Sequence, residues 1–248
     1  MKIDKVIVSS DSNEFYLDFW QPVSFLWKEK FKIQPVLYYF YKNEEEREKY
    51  ISEEFGKVIK IKCVDDIPVA LQAQWSRYFF PSHDLESVWL LSDIDMLPMS
   101  QFYFINQLKE VDNDSYVHLN PCMETYGRIP ACYHVAKGKK YKEYLSLPDT
   151  WEESLYKVYN FSINNNLDLW STDENFSTNE LKDKKINFIR RDGGQNGHRL
   201  DRSSWRYDEK LILNQYYYDC HSIRPYKSFK KEIDNIVEKI MNSSVKYN

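Results

Sequence analysis

Short apolar runs recur through the first part of the chain, each closed by a polar turn and followed by a stretch with helical spacing. Lys5-Val6-Ile7-Val8 reads as a strand buried on both faces. The polar string Ser9-Ser10-Asp11-Ser12-Asn13 then supplies caps for a helix in which Phe15, Phe19, Val23, Leu26 and Trp27 share one face and Pro22 marks a kink or break. Pro35 to Tyr41 predicts a second strand, the charged run from Glu44 to Glu54 a solvated helix, and Lys57 to Lys62 a short alternating strand. A helix from Val69 to about Phe80 carries Gln72, Gln74 and Arg77, and Pro81-Ser82-His83 ends it. The apolar strand from Ser87 to Ser92 runs straight into Asp93-Ile94-Asp95.

The pattern loosens in the second half. It predicts a helix from Ser100 to Glu110, strands at Tyr116 to Leu119 and around Pro130 to Ala136, and a helix from Trp151 to Asn165. Thr172 or Ser171 caps a helix beginning at Asp173, and Ile186 to Ile189 is a short strand. Gly193-Gly194-Gln195-Asn196-Gly197-His198 concentrates half of the chain's six glycines in one loop, where the backbone needs unusual dihedrals or close approach to a ligand. A last helix with Phe229, Ile233, Ile236, Val237 and Ile240 on one face packs on the core or on a neighbour. Alternating strands and helices imply a single α/β domain with a mainly parallel central sheet flanked by helices. Such sheets bind ligands beyond the carboxyl ends of their strands, which is where the acidic triplet lies.

Composition sharpens this picture. A length of 248 residues fits one domain with a sizeable core. The 20 Tyr and 7 Trp are a heavy aromatic load, suited to sugar faces as well as to packing. A net charge of -4 without a Lys/Arg block argues against a nucleic-acid partner, whose phosphates need neutralising. The amino-terminal apolar run is broken by Ser9, Ser10 and Asp11, so neither signal peptide nor integral membrane segment is expected, and the expected location is cytoplasmic. Cys63, Cys122, Cys132 and Cys220 have no zinc or redox spacing and are expected as free thiols.

Two carboxylates one residue apart, after a buried strand, repel each other unless a cation intervenes. A divalent ion, Mg²⁺ or Mn²⁺, takes oxygens from Asp95 and from a ligand's diphosphate, leaving Asp93 for a ribose or a metal-bound water. The string Val88-Trp89-Leu90-Leu91-Ser92-Asp93-Ile94-Asp95-Met96-Leu97-Pro98 resembles the DxD segment of GT-A nucleotide-sugar glycosyltransferases, among them small bacterial and large-algal-virus enzymes, and in order of elements the resemblance covers most of the chain.

The resemblance implies a Rossmann-like GT-A fold, with a nucleotide-binding half to about residue 98 and an acceptor-binding half from 99 to 248. It implies that Ser9, Ser10 and Asp11 contact base and ribose, that Arg77 faces the nucleotide, and that Asp93, Asp95 and His198 hold the metal. Arg199 or Arg202 binds the diphosphate in a fork geometry that lysine lacks. Leu169-Trp170-Ser171-Thr172-Asp173-Glu174 is similar to the acidic motif that supplies the catalytic base of inverting members, with Asp173 and Glu174 both candidates. His118, Asn120, Glu124, Tyr126, Trp151 and Trp170 are candidates to line an acceptor-glycan pocket. UDP is the default donor nucleotide, with GDP and dTDP open. The first strand is followed neither by a P-loop nor by G-x-G-x-x-G, which removes phosphotransferases and dehydrogenases of those types. A metal-dependent phosphoesterase and a non-catalytic carbohydrate-binding protein stay as alternatives.

Overall fold

The computed structural model describes residues 1–120, 127–190 and 197–244. Its seven-stranded sheet has the order β3-β2-β1-β4-β7-β6-β8, from β1 (Lys5–Ser10), β2 (Gln34–Tyr41), β3 (Lys57–Lys62), β4 (Val88–Leu91), β6 (Tyr116–His118), β7 (His134–Lys137) and β8 (Ile186–Phe188). Pairings among β1 to β4 and between β6 and β8 are parallel, while β7 runs antiparallel to both its neighbours. The prediction of an α/β fold with a mainly parallel sheet therefore holds. A smaller sheet, ordered β5-β10-β9, joins β5 (Met96–Pro98), β10 (Asp219–His221) and β9 (Arg199–Asp201).

Alternation along the strands divides the core. Val6 and Val8, Leu37 and Tyr39, and Val88 and Leu90 point to one face, where Trp27, Phe104 and Ile236 also lie. Ile7, Tyr38, Phe40, Trp89 and Leu91 point to the other, under Trp75, Tyr78 and Phe79. Both faces are covered, which is why these strands read as nearly continuous apolar runs.

The helix Val69–Phe79 is latched to the connection that follows β3 by buried Gln72, whose side-chain oxygen accepts from Val64 N at 2.9 Å and whose amide donates to the carbonyls of Val64 and Ile67, both at 2.8 Å. That latch fixes the rotation of the helix and points Ala73, Gln74 and Arg77 at the sheet edge. The carboxyl-terminal helix Lys230–Asn242 buries Ile233, Ile236 and Ile240 in the core of its own chain. No helix of the described residues is long and apolar enough to cross a membrane.

Several boundaries differ from the pattern. The first helical region is split into Glu14–Leu17 and Trp20–Phe25, followed by a π-helical turn at Leu26–Lys30. The charged run is helical only over Glu44–Glu48, and the expected helix from Ser100 is one turn, Gln101–Phe104, followed by a 3₁₀ turn. Cys63, Cys132 and Cys220 are free thiols, and Cys122 lies outside the described residues.

Gly138, at the start of the helix Gly138–Tyr144, stands where a Cβ would lie 2.2 Å from the carbonyl oxygens of both Pro81 and Asp84. Backbone cannot yield there as a flexible side chain would. Gly138→Ala is expected to cost about 1–3 kcal/mol. Calorimetric melting should fall by roughly 2–4 °C per kcal/mol in a chain of this size.

Candidate active site

Strand ends bring polar groups to one edge. A cavity of about 560 Å³ opens beyond the carboxyl ends of β1 and β4, within the range of small-ligand pockets. It is lined by Ser9, Ser10 and Asp11 from the end of β1, Arg77 from the helix beneath, Asp93 and Asp95 after β4, and Asp173 and Glu174 from the helix Thr172–Leu181. Arg202 joins them from the turn after β9.

Arg77 bridges two of the carboxylates. Its guanidinium is paired with Asp93 Oδ1, and its Nη2 lies 3.2 Å from Asp173 Oδ2. The side chain is 7% exposed and stands in the cavity lining as a largely buried counter-charge to the two carboxylates. Burial raises the Asp93 carboxyl, but Arg77 and the thiol of Cys132, which donates to Oδ2 at 2.9 Å, outweigh it and hold Asp93 below its ordinary pKa. Burial likewise pushes Cys132 well up, which keeps the thiol protonated for that bond.

Asp173 and Glu174 are adjacent in sequence and differ in surroundings. Both Glu174 oxygens are engaged, one by Arg128 Nε at 2.6 Å and the other by Ala131 N at 3.1 Å. Asp173 is almost fully buried, and burial pushes its pKa up to about 7 although Arg77 pulls the other way. A carboxyl poised near neutrality beside a cavity is equipped for proton transfer. The expected cap does not close on the helix through Ser171 or Thr172; Asp168 accepts instead from Ser171 N at 2.9 Å and Ser171 Oγ at 2.7 Å.

The Asp95 corner is assembled from the far end of the chain. Strand β10 pairs His221 with Met96 of β5 on one side and with Asp201 of β9 on the other, and Ser222 N donates to Asp95 O at 3.1 Å. His221 Nε2 thereby lies 3.9 Å from Asp95 Oδ2, while its Nδ1 is 3.0 Å from Asp201 Oδ2. Arg202 Nη2 approaches Asp95 Oδ2 at 3.0 Å and Arg224 Nη1 at 3.8 Å. The approach of Arg202 is off the hydrogen-bond direction, and among the described residues Asp95 Oδ2 is a buried acceptor with no hydrogen-bond partner.

The described residues hold no ready cluster of three His, Cys, Asp or Glu side chains for an ion. The orphaned oxygen of Asp95, facing a histidine held from behind by a carboxylate, nonetheless fits one edge of a divalent-metal site. Ligand oxygens and water would complete the coordination.

Two residues expected at the site stand elsewhere. His198 has φ 58°, stacks on Tyr216 and Tyr218 at 4.1 and 4.7 Å between ring centroids, and has Nδ1 2.9 Å from Tyr216 O. It is absent from the cavity lining, and His221 occupies the place beside Asp95. Arg199 holds Asp219 in a bidentate pair, both contacts at 2.9 Å, with Asp219 fully buried and also bonded to Tyr133. Arg199→Met is therefore expected to cost about 3–5 kcal/mol of stability, as breaking a buried pair does. Denaturant unfolding of the variant against wild type reads that loss as a lower midpoint.

Of the acceptor candidates, Trp170 lines the cavity, 63% exposed at its mouth and 6.4 Å from the ring of Tyr16. His118 and Asn120 are buried, and Trp151 packs on Phe40, Phe79 and Phe80. Glu124 and Tyr126, like Gly193 to Asn196 of the glycine-rich loop, lie outside the described residues. Sequence reasoning missed Asn13, Tyr16, Arg128, His221 and Arg224, all in the lining. A histidine ending the short strand Asp219–His221, just before Arg224-Pro225, was the one available signal.

No family model and no curated protein matches the chain. Solved structures do. The glycosyltransferase GlyE of Streptococcus pneumoniae TIGR4 superposes with a TM-score of 0.55 at 14% identity, over 97% of this chain and 61% of that one. The chain thus spans less than two thirds of GlyE. The galactosyltransferase LgtC, in complex with donor and acceptor sugar analogs, superposes with a TM-score of 0.53 at 12% identity over 98% of both chains. An active-site mutant of LgtC gives 0.54, again at 12% identity. At such identities the likeness is one of architecture, and the architecture of this chain is the GT-A glycosyltransferase fold.

Proposed function

We propose that the chain is a metal-dependent glycosyltransferase that moves a sugar from a nucleoside diphosphate donor, a UDP-sugar by preference, to a hydroxyl of a glycan with inversion at the anomeric carbon. The observation that carries the reading is the convergence, in one cavity, of the strand-end acidic pair Asp93 and Asp95 with the near-neutral carboxyl of Asp173. The fold likeness to GlyE and LgtC supports it.

In this reading Ser9, Ser10 and Asp11 contact base and ribose, and Arg202, joined by Arg224, binds the diphosphate. Asp95 and His221 hold Mn²⁺ or Mg²⁺, which when bound neutralises charge on the departing diphosphate. Asp173 accepts the proton of the acceptor hydroxyl as its oxygen bonds to the anomeric carbon and the bond from that carbon to the diphosphate oxygen breaks. Glu174, with both oxygens engaged, positions Arg128 and the Ala131 backbone. Tyr16 and Trp170 offer ring faces to an acceptor sugar at the mouth.

The test is calorimetry of UDP-, GDP- and dTDP-sugars with and without Mn²⁺, followed by magnetic resonance of the product formed with a glycan acceptor. Binding of one nucleotide that strengthens with Mn²⁺, and a product of opposite anomeric configuration, are expected. A retained configuration contradicts inversion. Free sugar as the sole product points to hydrolysis, and no nucleotide binding under either condition points to a carbohydrate-binding protein.

A further inference from the structure

Asp95, the residue assigned to the cation, already has company. Its side chain is 5% exposed, and two guanidiniums converge on the same oxygen, Arg202 at 3.0 Å and Arg224 at 3.8 Å. One negative charge thus faces two positive ones. A divalent ion approaching that oxygen meets like charges within a few ångströms, where screening by water is reduced.

Both arginines are incompletely satisfied where they are. Arg202 Nη1 is buried and has no hydrogen-bond partner among the described residues, and its Nη2 approaches Asp95 off the hydrogen-bond direction. Arg224 lies 4.7 Å over the Tyr16 ring and reaches Asp95 only at long range. Each lines the cavity with about a quarter of its side chain open. A diphosphate satisfies such groups better than a shared carboxylate oxygen does, because its oxygens match the guanidinium fork.

Resting on the reading above, we propose that Arg202 and Arg224 form a latch on Asp95. The latch closes the cation position until a nucleoside diphosphate draws the two guanidiniums away. The site therefore takes a divalent cation weakly by itself and strongly together with the nucleotide. By linkage, the cation tightens the nucleotide by the same factor. The arrangement keeps the free protein from holding a bare cation and makes cation and donor arrive as a unit.

The experiment measures Mn²⁺ binding directly, by the electron paramagnetic resonance of free Mn²⁺, on wild type, Arg202→Gln, Arg224→Gln and the double variant, each with and without UDP or whichever nucleotide the calorimetric panel selects. In wild type, UDP is expected to tighten Mn²⁺ by about 5- to 150-fold, the usual span of coupling between sites. The double variant is expected to bind Mn²⁺ alone at least about 5-fold more tightly than wild type, to bind UDP more weakly, and to show a smaller coupling than wild type, leaving only the part due to direct contact between cation and diphosphate. Either single variant shifts the same way to a smaller degree, which keeps the test decisive if the double variant does not fold. Mn²⁺ binding alone that is no tighter in any variant than in wild type overturns the latch, while nucleotide binding that strengthens with Mn²⁺ leaves the transferase reading standing. Absence of both Mn²⁺ and nucleotide binding in wild type removes that reading and the latch with it.

Discussion

Asp95→Asn is expected to abolish the Mn²⁺ dependence of nucleotide binding and to lower kcat/KM by at least about 100-fold, the scale of losing one group that stabilises developing charge. The substitution keeps the shape of the side chain and removes its charge. His221 then faces a neutral amide, and the cation loses its anionic ligand. Arg202 and Arg224 remain in the lining, relieved of the Asp95 charge, so the nucleotide is expected to bind the variant with similar affinity in the presence and absence of Mn²⁺. That residual binding separates loss of the ion from loss of the fold. Calorimetry with and without Mn²⁺ reads it directly, and a variant in which Mn²⁺ still tightens the nucleotide as it does in wild type contradicts the assignment of Asp95.

Asp173→Asn is expected to lower kcat by about 100- to 10,000-fold, the span of a positioned general base, with donor affinity little changed. In wild type kcat/KM should rise with pH to a plateau, with a midpoint at about 7, because the carboxyl must be ionised to accept a proton. The residual activity of the variant should lack that limb. The same carboxyl makes a signed statement about stability. Its pKa is about 7 in the folded chain against 3.8 for an ordinary aspartate, so the folded state binds the proton more tightly than the unfolded one. Its contribution is fully present below about pH 4 and is lost as pH rises to about 7, so the melting temperature of wild type should fall relative to Asp173→Asn across that window. Parallel melting curves for the two proteins would remove the raised pKa and, with it, the case for Asp173 over Glu174.

Much of the amino half was legible because its signals are local. An apolar strand buried on both faces announces itself, and Lys57–Lys62 appears in the structure with the limits its alternation predicts. Asp93 and Asp95 could be placed at the sheet edge for the same reason, as could Ser9 to Asp11. The carboxyl-terminal contributions were not legible, since they depend on which distant strand a three-residue segment joins. The glycine-flanked His198 drew the eye, yet the positive φ there serves the turn into β9, and pairing of β10 with β5 carries His221 to Asp95. Arg199 and Arg202 are three residues apart, and only the backbone path decides that one is locked on Asp219 while the other reaches the cavity. The roles of Asp173 and Glu174 separate on burial and on contacts with Arg77, Arg128 and Ala131, none of which adjacent positions reveal.

The small sheet β5-β10-β9 also fixes when the protein becomes competent during its synthesis. Strands β1 to β4 and the acidic pair emerge from the ribosome early and have their own partners to fold upon. Asp95 then waits for Arg202, His221 and Arg224, which are made more than a hundred residues later and reach it only when β10 slots between β5 and β9. Closing so long a loop is a late and slow event. A nascent chain interrupted before that point carries Asp95 without Arg202, His221 and Arg224, and the cavity is complete only after β10 has docked.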